Sequence, residues 1–204
     1  MVMRFLLAVF AALSGPALTG CAGIGLSGSG SPGSGQVVSE AESTRLELRL
    51  PDRAAVVQDR NTADVYLTDL SPATLDRITA GDLGPEVSGT LLHIRIFLNP
   101  KPGRTPIADT AASATARLVV VARGQVGVYD AAGFLMPGNS LRKGYASGTL
   151  RNAPTRLSRA TPGFTDLLGS ARMEVGFGAR ANDETADRIA RAIRTLALVA
   201  EPVE

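Results

Sequence analysis

Apolar and polar positions alternate along much of this chain. Over residues 44–50, Leu46, Leu48 and Leu50 fall on one side and Arg45, Glu47 and Arg49 on the other. That is the period-2 pattern of a half-buried strand, and Pro51 ends it. Residues 54–57 and 63–70 predict two more strands. Ser71-Pro72 then reads as a helix N-cap with proline in the first helical position, opening a helix to about Thr79. Residues 89–98 give the clearest strand, with Leu92, Ile94, Ile96 and Leu98 facing one way and His93, Arg95 and Phe97 the other. In residues 118–122 the apolar run is continuous, which predicts cover on both faces. A turn at Gly124-Gln125 predicts a returning strand over 126–129.

Further along, residues 148–158 predict a strand that Pro154 interrupts, which suggests an edge or a bulge. Residues 164–168 suggest a helical turn, and 171–179 another strand. A C-terminal helix is expected over 183–198, with Ile189, Ile193 and Leu196 along one face and Ala186 and Ala190 beside them. The expected fold class is α+β and mostly β. It is an antiparallel sheet or sandwich of seven to nine strands with the C-terminal helix packed against it.

Two segments break the alternation. Residues 99–106 hold three prolines and predict a rigid exposed loop; residues 130–139 are Gly/Ala-rich around an apolar island. Loops on a rigid sheet often carry recognition, so Lys101, Arg104, Phe134, Leu135 and Met136 are the candidate recognition residues. Residues 107–115 are small and ambiguous in type.

The N-terminus is built differently. One cation, Arg4, precedes a nine-residue apolar run at 5–13, and Ser14, Gly15 and Pro16 follow. A membrane-spanning helix needs about 20 residues, so the run predicts an exported signal peptide over residues 1–20. Leu18-Thr19-Gly20-Cys21 ends it and holds the chain's single cysteine. This stretch resembles the lipobox of bacterial lipoprotein precursors. The resemblance covers about the first 21 residues. It implies that the Cys21 thiol accepts a diacylglyceryl group, that cleavage falls just before Cys21, and that the new amine is acylated. Two or more acyl chains hold a protein firmly to a membrane. Ala22, where an aspartate would favour inner-membrane retention, leans toward an outer membrane facing the periplasm.

Ten of the thirteen residues from Gly23 to Gly35 are Gly or Ser. The expected organisation is therefore a signal peptide (1–20), a lipidated cysteine with a Gly/Ser tether (21–39), and one β-rich domain (40–204).

Charge and composition narrow the function. The formal net charge is +2, and removal of Arg4 leaves the rest near neutral. No basic block interleaves with aromatics, so nucleic acid is not an expected partner. With aromatics at 4 % and no tryptophan, a sugar-stacking platform is not expected either. A mature fold with its cysteine acylated has no internal disulfide and no cysteine metal site.

His93 is the single histidine, placed mid-strand on the less buried side. It supplies neither a histidine metal cluster nor a nucleophile motif, since the folded part lacks Gly-x-Ser-x-Gly and His-Glu-x-x-His. Asp64, Asp69 and Asp166 read as surface or turn-capping carboxylates. Arg188, Arg191 and Arg194 read as a solvated stripe offset by Glu184 and Asp187.

No cofactor and no catalytic residue is expected. The expectation is a membrane-anchored envelope lipoprotein, a non-catalytic domain touching another envelope component. A small apolar ligand or lipid carrier is the alternative, and an enzyme of unidentified chemistry comes third.

Overall fold

The computed structural model describes residues 32–100, 111–138, 141 and 144–203. The expected signal peptide, Cys21, Lys101 and Arg104 lie outside the described residues. The elements run β1 (Ser34–Ser39), β2 (Arg45–Arg49), β3 (Asp52–Val57), β4 (Ala63–Thr68), α1 (Pro72–Thr79), β5 (Gly89–Ile96), β6 (Ala114–Ala122), β7 (Gln125–Pro137), β8 (Tyr145–Ala160), β9 (Ala171–Arg180), α2 (Asp183–Val199) and β10 (Glu201–Pro202). The fold is α+β and mostly β, with α2 packed against a curled antiparallel sheet.

The strand order is β2-β1-β9-β8-β7-β6-β5-β4-β3, and β10 adds to β8. From β3 to β9 each strand pairs with the next in sequence, so the body is a meander. The β1–β2 hairpin joins it at the β9 side.

Curling follows from connectivity. β2 and β3 stand at opposite ends of the sheet order, yet only Leu50 and Pro51 separate them. That link spans at most about 11 Å, so the two sides of the sheet must meet there. At the far end of β9 they do meet: Ala55 bridges Ala181 in parallel, and the Asn182 N–H donates to the Ala55 carbonyl at 3.3 Å.

Two cores result, fed by alternate residues of the same strands. The inner face of the curl holds Val65, Leu67, Leu92, Ile94, Leu118, Tyr129, Leu135, Leu150 and Val175. Leu75, Ile78, Leu91, Val119, Val121, Val128, Ile189, Ile193 and Leu196 form the second core, between the outer face and the helices. The continuous run at 118–121 is explained in this way: Leu118 faces inward, while Val119 and Val121 face the helices. Local caps fix where the helices begin. Ser71 accepts the Thr74 N–H at 3.2 Å, and Asn182 accepts that of Thr185 at 3.0 Å.

Three expectations need correction, and a fourth is decided between its two alternatives. The tether does not run to residue 39, because Ser34–Ser39 is a strand held by β2 and β9. Residues 130–137 are not a loop but the second half of β7. The strand around Pro154 is no edge: β8 runs for 16 residues between β7 and β9. It does carry the bulge that proline suggests, since two residues, Arg151 and Asn152, stand against Glu174 alone. Asn152 there has φ +49°. Residues 164–166 have no regular structure and 167–168 are bends, so there is no helical turn here.

Candidate functional site

Where the helices end, the outer face of the sheet lies open and turns polar. The pairing register sets one residue from each of five strands side by side. Tyr66 faces His93, His93 faces Arg117, Arg117 faces Asp130, and Asp130 faces Arg156. One step along, Asp64 faces Arg95 and Arg95 faces Thr115. Neighbouring strands lie about 4.8 Å apart, so the row from Tyr66 to Arg156 is about 19 Å long. Side chains opposite one another on a shared face are in contact range.

Contacts along the row are specific. The His93 ring stacks on Tyr66 with centroids 4.5 Å apart and planes 5° from parallel. Its Nε2 lies 2.7 Å from Asp64 Oδ1. Gln58 Nε2 donates to the other Asp64 oxygen at 2.6 Å. The His93 hydrogen bond is the main reason the Asp64 carboxyl is held below its ordinary range, with the His93 charge, Gln58 and Arg95 adding to it. Burial pushes the Tyr66 hydroxyl up.

Further along, the Arg117 guanidinium grips Asp130 with Nε at 2.9 Å and Nη2 at 3.4 Å, a fork on both carboxylate oxygens. Arg156, on the far side of Asp130, makes no hydrogen bond or ion pair among the described residues, and neither does Arg95 apart from its field on Asp64.

These residues border an open groove of about 760 Å³. Its sides carry His93, Arg95, Arg117 and Arg156, its floor is small at Thr115, Ala131 and Ala132, and Glu40 lies at its end. Glu40 is already engaged, accepting from Arg172 Nε at 2.7 Å. Among the described residues, the groove therefore offers two guanidinium groups, of Arg95 and Arg156, without a hydrogen bond or ion pair, over a small-residue floor. Such a surface binds carboxylate or phosphate oxygens and orients them. Among the described residues, no group of three or more histidine, cysteine or acidic side chains is placed to hold a metal.

The residues expected to mark recognition loops do not gather here. Phe134, Leu135 and Met136 lie in β7; Leu135 is fully buried in the inner core, while Met136 is exposed. Asp69 accepts the Thr90 N–H at 2.6 Å. Asp166 accepts from Tyr129 Oη at 2.7 Å and from the N–H groups of Leu168 and Gly169. Asp166 thus fixes a local bend, as its sequence setting suggests, whereas Asp69 holds the start of β5 from the end of β4. On α2, Arg188 lies 3.2 Å from Asp76 of α1 and from Glu184, so it ties the helices together.

Sequence reasoning identified His93 and Asp64 one at a time but missed the row, because alternation assigns faces and says nothing about register. The signal available was the recurrence of polar side chains at every second position, His93 and Arg95 and again Thr115 and Arg117, on the side opposite the leucines. No family model matches the chain, and no curated protein or solved structure is similar to it at a significant level.

Proposed function

We propose that this chain is a lipid-anchored envelope protein, held to a membrane through Cys21, whose body is a non-catalytic domain that contacts another envelope component. The observation that carries the anchor is the place of Cys21, directly after an exported-type apolar run and within Leu18-Thr19-Gly20-Cys21. Ala22 favours the outer membrane, with the body in the periplasm. Strand β1 begins thirteen residues after Cys21. A Gly/Ser-rich link of that length has an r.m.s. reach of about 20 Å, so the body works close to the bilayer. Among the described residues, no helix is long and apolar enough to cross a membrane, and so none competes with the lipid for that role.

The surface assigned to the contact is the charged row. Its two guanidinium groups without a hydrogen bond or ion pair among the described residues, and its paired carboxylates, suit a polar, partly anionic partner. A carrier for small apolar ligands would need a cavity between sheet and helix and draws no support there, where Leu91, Val119, Val128, Ile189 and Leu196 pack against one another.

Two experiments test the reading. Cys21→Ser should abolish both the acyl mass shift and detergent-phase partitioning; equal behaviour of variant and parent removes the anchor. A photo-crosslinker at Thr115, on the groove floor, should trap an envelope component in intact cells, whereas one at Asn61 in the β3–β4 turn should not. Equal or absent trapping at the two positions removes the assignment of the row.

A further inference from the structure

Among the described residues, β2 forms one open edge of the sheet. On one side β2 pairs with β1; on the other, no described strand pairs with it. The opposite edge differs, because β3 is covered at Ala55 by Ala181 and Asn182. The β2 backbone has a clear parity. Thr44 and Leu50 direct their main-chain groups to β1, accepting from the Ser39 N–H at 3.0 Å and donating to the Gly33 carbonyl at 2.7 Å. Arg45, Glu47 and Arg49 therefore point their N–H and C=O groups outward, toward the open side.

The side chains of this edge form a pattern that reads the same in both directions: Arg45-Leu46-Glu47-Leu48-Arg49. An antiparallel strand laid against it by a two-fold axis can take three registers. Centring on Glu47 sets Glu47 against Glu47 and Arg45 against Arg49, so every charged pair repels. A two-fold on Leu46 instead sets Arg45 against Glu47 of the second copy, twice. With the axis on Leu48, Glu47 faces Arg49, twice. Burial separates the last two: Leu48 is already buried, while Leu46 is half-buried at the lip of the inner core. A two-fold on Leu48 would set Leu46 against the buried Leu50, whereas the register centred on Leu46 is the one that sets the two half-buried leucines against each other.

We infer that β2 is a homotypic docking edge, in which a second copy of this chain adds its own β2 antiparallel, with Leu46 on the two-fold axis and Arg45 paired to Glu47 across it. Each Arg45–Glu47 pair would exchange two main-chain hydrogen bonds, and its side chains share one face. Charged edges usually guard a sheet against indiscriminate pairing. Here the charges reject the register centred on Glu47 and admit an offset one, so they select as well as guard. A symmetric, self-complementary contact of this kind closes at two copies.

Sedimentation of the full chain in detergent tests it. The parent should show a concentration-dependent monomer–dimer equilibrium. Glu47→Arg should weaken the dimer at least about fivefold by setting like charges opposite each other twice. Adding Arg45→Glu to Glu47→Arg should restore it, because the pair is then merely reversed. With the axis on Leu48 instead, the same double variant would set an arginine side chain at position 47 against Arg49 and would not recover, which would overturn the register.

Single cysteines give an independent readout. Leu46→Cys should form a disulfide joining position 46 to position 46, mapped by mass spectrometry, since a non-hydrogen-bonded pair on the axis is the closest. Stronger linkage from Glu47→Cys or Leu48→Cys overturns the register. A parent that stays monomeric at all concentrations, with no linkage at 46, overturns the homotypic contact and leaves the edge to a strand from another protein.

Discussion

Asp64 sits where three strands' worth of polar groups converge. It takes hydrogen bonds from His93 at 2.7 Å and Gln58 at 2.6 Å, and Arg95 stands opposite it. Its side chain is only 20 % exposed, so water screens these contacts weakly. The carboxyl is held below the ordinary carboxylate range, chiefly by the His93 bond. For an acid whose folded value is lowered, the stabilisation is complete above the unfolded value, near 3.9. It is lost as pH falls through the lowered folded value.

Asp64→Asn should therefore cost about 1–2 kcal/mol near pH 7, and the gap to the parent should close as pH falls below about 4. Urea melts from pH 7 to pH 3 measure it. A gap that stays constant across that range would mean that shape, not charge, is what Asp64 supplies. Alternation put His93 on the less buried side of its strand, and Asp64 read as a surface or turn-capping carboxylate. The sequence could not pair them, since they are 29 positions apart and meet on a diagonal that depends on one residue of register.

Glycine marks the elements that composition misread. Residues 33–35 look like the end of a tether, yet Gly35 is a strand residue between β2 and β9. A Cβ there would stand 2.3 Å from the Glu174 carbonyl oxygen and 2.7 Å from the Val175 Cα. Gly133 in β7 is similar: its Cβ would meet that of Ala153 at 2.9 Å. In both places the small residue lets sheet backbones approach closely, which a reading by composition takes for flexibility. Gly35→Ala should shift β1 and cost about 1–3 kcal/mol, the range for overpacking a filled site. Hydrogen exchange should show faster exchange across β1 and β2 than in the parent. Unchanged protection there would mean that β1 yields without strain. The helices were legible almost to the residue, because their start signals are local: Ser71-Pro72 opens α1, and of the two neighbouring cap residues Asn182 and Asp183 it is Asn182 that caps α2. Pro154 shows the limit of a local signal. It suggested an edge or a bulge, and the bulge is there; the strand's place between β7 and β9 is set by the order of strands, which no single strand encodes.

At the scale of the whole molecule, the two cores cannot be separated, because the same strands build both. On β6, Leu118 faces the inner core and Val119 the helix-covered one; on β5, Leu92 and Leu91 divide in the same way. Helix α2 lies over the outer core with Ile189 and Leu196 fully buried and Ile193 5 % exposed, while Arg191 faces water. Ile193→Ala should cost about 2–5 kcal/mol, and Arg191→Ala under about 0.5 kcal/mol, although only two positions separate them. Leu135→Ala tests the inner core on the other side of the sheet, where a comparable cost of about 2–5 kcal/mol is expected. Strands shared between cores require more than a pair of matching losses. Both variants should move one and the same urea transition, with an unchanged slope, since loss of either core takes away a face of β5 and β6. The chain for these melts starts at Pro32, so that β1 is kept. Two resolved transitions, with Ile193→Ala lowering one and Leu135→Ala the other, would show that the helices and the curl unfold independently. The outer face beneath α2 would then be a surface the protein can open.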